Sequence, residues 1–186
     1  MVGGGKDMYY STTYPSPFGL ITLASDGDNL IGLWIEGQKY HGGTISDQLE
    51  EKNNLPVFDA AKDWLDRYLS GKNPDISELP LAPIGTEFRQ KIWEILCEIP
   101  YGEVITYREI AKKIAKILNR PSMSSQAVGG AVGRNPISII IPCHRVVGSD
   151  GSLTGFASGI KTKIKLLEIE GVDLTPFFIP KRGTAL

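Results

Sequence analysis

A proline-rich segment, Lys72–Gly85 (KNPDISELPLAPIG), divides the sequence into two stretches of different character. Its three prolines and its glycine disfavour both a continuous helix and a central strand. Short apolar runs separated by turn residues precede it, whereas apolar residues at helical spacing follow it. The sequence therefore predicts two domains, an N-terminal α/β structural domain over residues 1–80 and a C-terminal domain over residues 81–186.

The first half has the pattern of a small antiparallel sheet followed by one helix. The predicted strands are Met8–Tyr14, Leu20–Ala24 and Leu30–Trp34, joined by turns at Pro15–Pro17 and Ser25–Asn29. Residues 36–56 are polar and irregular, and Val57–Leu69 has helical spacing that ends at Gly71. We interpret the aromatic residues of this half as core. No catalytic constellation is apparent in it, and residues 1–7 are interpreted as a leader or tag.

The second half begins with three predicted helices. Thr86 can cap the first, Thr106 and Glu109 form a capping-box pattern for the second, and Ser122 or Ser124 opens the third. A short second helix rich in lysine and a third rich in small residues suggest a helix-turn-helix. The predicted fold class is α/β (α+β): a small antiparallel-sheet domain and a mostly helical domain with a helix-turn-helix.

The charge balance and the few cysteines indicate the class of binding partner and the cellular compartment. Residues 1–100 hold 8 Lys/Arg and 15 Asp/Glu, whereas residues 101–165 hold 10 and 3. A basic second half favours a polyanion such as nucleic acid, although a solvated charged surface explains the same balance. The sequence has no apolar run that could span a membrane and no signal-peptide core. With two cysteines and two histidines out of ligand spacing, we expect a cytoplasmic protein without a metal site.

The segment Ile137–Val147 (ISIIIPCHRVV) carries a thiol and an imidazole at the end of a buried run. His144 could take the proton of Cys143 only if the chain turns there, or through a bridging water, because neighbours on an extended chain face opposite sides. Such a base needs an orienting carboxylate, and Glu170 at the end of the last predicted helix is the candidate. From the residues alone, a buried core cysteine beside a satisfied histidine is the simpler interpretation.

Several motifs nonetheless closely resemble the O6-alkylguanine-DNA alkyltransferase family, also called methylated-DNA–protein-cysteine methyltransferases. They are Ala127–Ala131 (AVGGA), Asn135–Pro136 and Ile141–Val147 (IPCHRVV). The similarity runs from about Gly85 to Gly171, and Tyr14–Gly19 (YPSPFG) resembles the family's N-terminal domain. The resemblance implies a monomeric DNA repair protein that needs no cofactor and reacts once. It would transfer an alkyl group, typically methyl, from O6 of guanine, and less efficiently from O4 of thymine, to its own cysteine.

The resemblance also implies roles for individual residues. Cys143 would be the nucleophile and alkyl acceptor, His144 its base through a water, and Glu170 the residue that orients His144. Tyr107 would donate a hydrogen bond to the departing guanine, and Asn135 would be the hinge between the recognition helix and the active-site turn. The Val146 carbonyl and the loop around Phe156, Ala157 and Ser158 would hold the base flipped from double-stranded DNA. The residues expected to contact the DNA are Tyr107, Ser125, Gln126, Ala127, Arg134 and Ser149, and Arg145 is expected to be satisfied internally.

The sequence departs from the family pattern at four places. Gln126 replaces the arginine that fills the space vacated by the flipped base, with Arg134 a candidate to compensate, and Phe156 replaces a tyrosine. Lys165 stands where tryptophan is common, and the segment between the two helices of the helix-turn-helix is longer than usual. These departures leave open a non-catalytic, alkyltransferase-like sensor of alkylated DNA. A cysteine hydrolase is a third alternative, which would need an oxyanion hole built from backbone amides.

Overall fold

The N-terminal half is a four-stranded sheet covered by one helix. This computed structural model describes residues 8–154 and 156–180, so the predicted leader over residues 1–7 lies outside the described part. Strands β1 (Tyr9–Ser16), β2 (Gly19–Ser25) and β3 (Leu30–Ile35) form the predicted antiparallel meander. A short strand β4 (Leu49–Glu51) pairs with β1 in parallel, which gives the order β3-β2-β1-β4.

Two predictions for this half are wrong in detail. Strand β1 continues through Pro15 and Ser16, which were predicted to turn. Proline is tolerated there because β4 pairs only with Tyr9–Ser11, so the missing N–H of Pro15 leaves no gap in a ladder. Residues 36–56 are not irregular throughout, because they contain β4 and a short 3₁₀ turn before it.

Helix α1 (Pro56–Leu69) follows and packs against the sheet. It buries one apolar face that includes Phe58, Leu65 and Tyr68. This is the face that its helical spacing predicts, since residues three and four apart lie on the same side. The indole N–H of Trp64 donates to the carbonyl of Asp75 at 3.0 Å, which ties the helix to the proline-rich segment.

The second half contains four helices and one small sheet among its described residues. They are α2 (Glu87–Cys97), β5 (Ile105–Thr106), α3 (Tyr107–Ile117), α4 (Ser125–Gly133), β6 (Val146–Val147) and α5 (Ile160–Ile169). Thr86 caps α2, and Thr106 forms both hydrogen bonds of a capping box with Glu109. Ser124, not Ser122, caps α4. The predicted fold class is confirmed.

The two halves share one core, and β3 is the strand that joins them. The N–H of Leu33 donates to the carbonyl of Pro136 at 2.8 Å, and its carbonyl accepts from Ser138 at 3.1 Å. All six residues of β3 are buried, because it is covered by both halves. The boundary at residue 80 stays a prediction. No helix within the described ranges is long and apolar enough to cross a membrane.

Candidate active site

The chain turns sharply at Cys143. The isoleucine run does not form a strand: Ile141 donates to the carbonyl of Ile137 at 3.0 Å, and Cys143 to that of Ile141 at 2.8 Å. Ile139 adopts a φ of 72°, which is rare for a β-branched side chain and is the kind of strain found near functional sites. A 3₁₀ turn over Cys143–Arg145 follows. The chain therefore does turn at Cys143, as a direct contact between Cys143 and His144 would require.

Asn135 connects the end of α4 to this turn. Its side-chain nitrogen donates to the carbonyl of Ile141 at 2.8 Å, and its oxygen accepts from the N–H of Ile137 at 3.0 Å. The side chain is buried, with an exposed fraction of 5%. Both amide atoms therefore hold the backbone that leads to Cys143. This arrangement is compatible with the predicted hinge role, which stays a prediction.

The thiol of Cys143 is a neutral group that needs a base. It is 6% exposed, and burial raises its pKa. A hydrogen bond from Asn135 and the positive charge of Lys163 act in the opposite direction without reversing the shift. Because the thiolate is the nucleophilic form, the thiol must lose its proton when it reacts.

His144 is neutral, as a general base must be before it accepts a proton. It is fully buried, and burial lowers its pKa, so the imidazole is neutral near pH 7. Its Nε2 lies 2.5 Å from Oε2 of Glu170, whereas its Nδ1 is buried without a hydrogen-bond partner among the described residues. Since Glu170 is ionised, Nε2 carries the hydrogen and Nδ1 has the free lone pair. No hydrogen bond joins Cys143 directly to this imidazole in the described structure, which leaves the route through a water.

Glu170 is held by four donors. One carboxylate oxygen accepts from Nε of Arg145 at 2.7 Å and from the N–H of Gly102 at 2.9 Å. The other accepts from His144 and from the hydroxyl of Tyr68, both at 2.5 Å. Burial alone would raise the pKa of Glu170, but its contacts with His144 and Arg145 lower the pKa to about 2. The structure places Glu170 against His144, and the predicted role of orienting His144 stays a prediction. Arg145 also donates to the carbonyl of Ile99, so its guanidinium is satisfied internally.

Tyr68 is a site residue that the sequence did not predict. It lies on α1 in the first half, which contributes this hydrogen-bonding residue to the site although no catalytic constellation is apparent there. Its hydroxyl donates to Glu170. Burial and the negative charge of Glu170 raise the pKa of Tyr68, so the hydroxyl keeps its proton. Tyr68 is buried in the core as predicted. Its hydrogen bond to Glu170 could not be predicted from the sequence, because 102 residues separate the two.

Lys163 is a second unpredicted residue. It is a fully buried lysine on α5, and its Nζ donates to the carbonyls of Val146 and Thr154. Burial lowers its pKa to about 8. The Val146 carbonyl, predicted to hold the flipped base, therefore already accepts one hydrogen bond. Lys163 stands two residues from Lys161 and from Lys165 in a lysine-rich stretch that looks like surface, so its burial is visible only in the structure.

Tyr107 is the first residue of α3 and points towards the same loop. Its hydroxyl donates to the carbonyl of Thr154 at 3.1 Å. Burial and the neighbouring Cys143 raise the pKa of Tyr107, so it acts as a hydrogen-bond donor and keeps its proton. To reach a substrate, this hydroxyl must exchange Thr154 for the new acceptor.

A cleft with a volume of about 620 Å³ lies between α4 and the loop that follows β6. Its walls include Tyr40 from the first half, small residues of α4, and Phe156 and Ala157. The ring of Phe156 meets that of His144 edge-on, with 6.4 Å between centroids. The loop that contains Phe156 and Ala157 therefore forms one wall of this cleft. The hydroxyl of Ser158 points elsewhere and donates to Gln38 at 3.1 Å.

The residues predicted to contact DNA do not all lie together. Ser125, Gln126 and Ala127 form the exposed first turn of α4. Arg134 follows the last turn of α4, and its guanidinium stacks over the ring of Tyr40 at 3.8 Å. Ser149 is on an exposed turn after β6 and does not line the cleft.

The fold and the site together define a class: an α/β protein with a helix-turn-helix beside a buried cysteine that a histidine and a glutamate can activate. The sequence matches two family profiles, "6-O-methylguanine DNA methyltransferase, ribonuclease-like domain" over residues 8–83 and "6-O-methylguanine DNA methyltransferase, DNA binding domain" over residues 87–172. The chain belongs to the 6-O-methylguanine DNA methyltransferase family, as its motifs indicated.

Relatives along nearly the whole chain agree with this assignment. A methylated-DNA–protein-cysteine methyltransferase of Haemophilus influenzae is 44% identical over 88% of this chain and 87% of its own length. One from Methanosarcina barkeri is 46% identical over 90% and 99%. The crystal structure of Mycobacterium tuberculosis OGT in complex with DNA superposes with a TM-score of 0.73 at 38% identity, covering 88% of this chain and 92% of that one.

Proposed function

We propose that this protein repairs DNA by accepting an alkyl group, typically methyl, from O6 of guanine onto Sγ of Cys143. The observation that carries the proposal concerns His144, the residue that follows Cys143: the ionised Glu170 accepts the hydrogen on its Nε2, and its Nδ1 has no hydrogen-bond partner among the described residues. The methyltransferase names of relatives that are 44% and 46% identical support the same reaction. O4-alkylthymine is the proposed weaker substrate.

In the proposed reaction, the thiol proton passes through a water to Nδ1 of His144. The Sγ of Cys143 then attacks the alkyl carbon, an S–C bond forms, and the C–O6 bond of the guanine breaks. The electron pair of that bond leaves with the guanine, which takes up the proton that the thiol gave up. Tyr107 stabilises the departing base by hydrogen bonding. The thioether product is stable, so each protein molecule reacts once.

Double-stranded DNA containing alkylated bases is the proposed partner. The substrate carbon cannot reach the buried thiol while its base is stacked in the duplex, so the base must rotate out at a cost of a few kcal/mol. The exposed first turn of α4, beside the cleft, is the proposed entry into the minor groove. The related structure solved with DNA supports this partner. The monomeric state and the cytoplasmic location stay predictions.

One observation keeps open the alternative that this protein is a non-catalytic sensor of alkylated DNA. Gln126 is exposed at the start of α4, where the family has an arginine, and glutamine brings no charge to the space left by the flipped base. Weak flipping would lower reactivity, and a protein of low reactivity would act as a sensor. An intact Cys143 with its base argues for the transferase.

Intact-protein mass spectrometry after incubation with an O6-methylguanine duplex separates the two functions. The transferase gains the mass of one methyl group in place of one hydrogen, and its activity stops after one equivalent of substrate. Cys143→Ala should still bind the duplex without gaining mass. An unchanged mass of the wild-type protein, together with tight binding to the duplex, would establish the sensor instead.

A further inference from the structure

The turn that follows β3 contacts the loop expected to hold the flipped base. Gln38 is 7% exposed, and its side-chain oxygen accepts from the N–H of Ile35 at 2.7 Å and from the hydroxyl of Ser158 at 3.1 Å. The N–H of Lys39 donates to the carbonyl of Ala157 at 3.2 Å. Two hydrogen bonds therefore run from the first half of the chain to two successive residues of the loop.

The same stretch of chain also holds the opposite side of the site. Strand β3 pairs through Leu33 with Pro136 and Ser138, the residues that follow the Asn135 hinge. Two residues after Gln38, Tyr40 lies under the guanidinium of Arg134 at the end of α4. One buried strand and its turn thus contact both the α4 side and the loop side of the cleft.

The loop needs such support because its own structure is sparse. Between β6 and α5 no helix or strand is described, and glycines are frequent there. Lys163 and Tyr107 hold the loop at Thr154, and Gly159 donates to the carbonyl of Phe156 at 3.0 Å. Ala157 and Ser158 lie beyond Thr154, and the bonds from Lys39 and Gln38 reach them there.

We propose that Gln38 is a positioning residue for alkyl transfer: through Ser158 it fixes the wall of the cleft against which the flipped base rests. This inference rests on the proposed function of Cys143. It also gives Ser158 a different role from the one that the resemblance implied, since its hydroxyl is engaged by Gln38 rather than free for the base. Displacing a substrate-positioning wall slows the chemical step without altering the nucleophile itself.

The test is Gln38→Met, which keeps the length of the side chain and removes the acceptor. At saturating O6-methylguanine duplex we expect the rate constant of methyl transfer to fall about tenfold. The affinity for unmodified duplex and the rate at which iodoacetamide alkylates Cys143 should stay within about twofold of wild type, because neither places a flipped base against Ala157 and Ser158. Gln48→Met is the matched control, since the side chain of Gln48 makes no hydrogen bond within the described structure.

Ser158→Ala removes the same hydrogen bond by changing its other partner, which is half-buried. This variant replaces Gln38→Met in the test if Gln38→Met folds poorly. It should slow transfer to a similar extent, and the double variant should lose little more, because the hydrogen bond between Gln38 and Ser158 is the interaction that both changes break. Transfer at the wild-type rate in both variants would overturn the positioning role, as would an equal fall in reactivity towards iodoacetamide. Failure of the wild-type protein to take up methyl would instead contradict the proposed function.

Discussion

At the residue scale, Glu170 determines which nitrogen of His144 can act as a base. Four hydrogen bonds converge on its carboxylate and keep it ionised, and an ionised carboxylate accepts the hydrogen on Nε2. The lone pair is thereby left on Nδ1, the buried ring nitrogen without a hydrogen-bond partner in the described part of the chain. In the proposed reaction, the chemistry of Cys143 thus depends on a residue at the C-terminal end of α5.

Glu170→Gln tests this dependence. An amide can present N–H to Nε2, which favours the other tautomer and places the hydrogen on Nδ1. We expect methyl transfer to slow by about 10²–10⁴-fold, the range over which an active-site base acts. Nitrogen-15 NMR of His144 should report the change of tautomer. Glu168→Gln, an exposed neighbour on α5, is the control. An unchanged tautomer or a wild-type rate in Glu170→Gln would contradict this role.

How far the site could be predicted differs from residue to residue. The contact between His144 and Glu170 could be anticipated, because an acidic side chain at a helix C-terminus requires a partner. Tyr68 and Lys163 could not, since one lies in the other half of the chain and the other resembles a surface lysine. Residue identity alone does not say which buried polar groups meet across the core.

At the element scale, α4 presents a first turn of small or polar exposed residues, with Gln126 the largest. The capping box of α3 and the Thr86 cap of α2 were predictable, because they depend on residues three apart in sequence. The conformation of the isoleucine run was not, since Ile139 takes a backbone angle that isoleucine itself disfavours. Tertiary contacts must offset the free-energy cost of this backbone angle. They include the two hydrogen bonds of Asn135, one to the backbone before Ile139 and one to the backbone after it.

Gln126→Arg should improve repair of duplex DNA by about tenfold and leave the reaction with free O6-methylguanine base unchanged. Arginine can fill the vacated space, stack on the neighbouring bases and pair with phosphates, whereas a free base needs no flipping. Single-turnover rates with both substrates measure the difference. Ser125→Arg adds the same charge one residue away and controls for simple attraction to DNA. Equal gains with duplex and free base, or equal gains from both variants, would defeat the flipping argument.

At the scale of the whole molecule, the two halves share a core and a hydrogen-bonded site. Tyr68 and β3 belong to the first half, yet Tyr68 holds Glu170 and β3 holds the residues that follow Asn135. The buried carboxylate and imidazole therefore link the stability of the entire chain to pH.

Acid should destabilise the protein through this site. The pKa of Glu170 falls from an ordinary 4.5 to about 2 on folding, so its stabilising contribution is present above pH 4.5 and is lost as the pH falls towards 2. The lowered pKa of His144 acts in the same direction below about pH 6.5, where the unfolded chain takes up a proton. For Glu170 alone we expect a loss of about 3 kcal/mol in unfolding free energy.

Denaturant unfolding of wild type and Glu170→Gln between pH 7 and pH 3 measures this contribution as a difference. The gap between the two proteins should narrow as the pH falls, because the other acidic groups titrate in both. A gap that is constant with pH would show that Glu170 keeps an ordinary pKa in the folded protein.

The most direct test of the central claim is a peptide map after exposure to excess O6-methylguanine duplex. Cys97 serves as an internal control, because burial and the neighbouring Glu94 and Glu98 raise its pKa to about 11 and leave it a poor nucleophile. We predict one methyl group per chain, all of it on the peptide that contains Cys143 and none on that of Cys97. Methyl shared between the two cysteines, or DNA repaired beyond one equivalent per chain, would contradict the account.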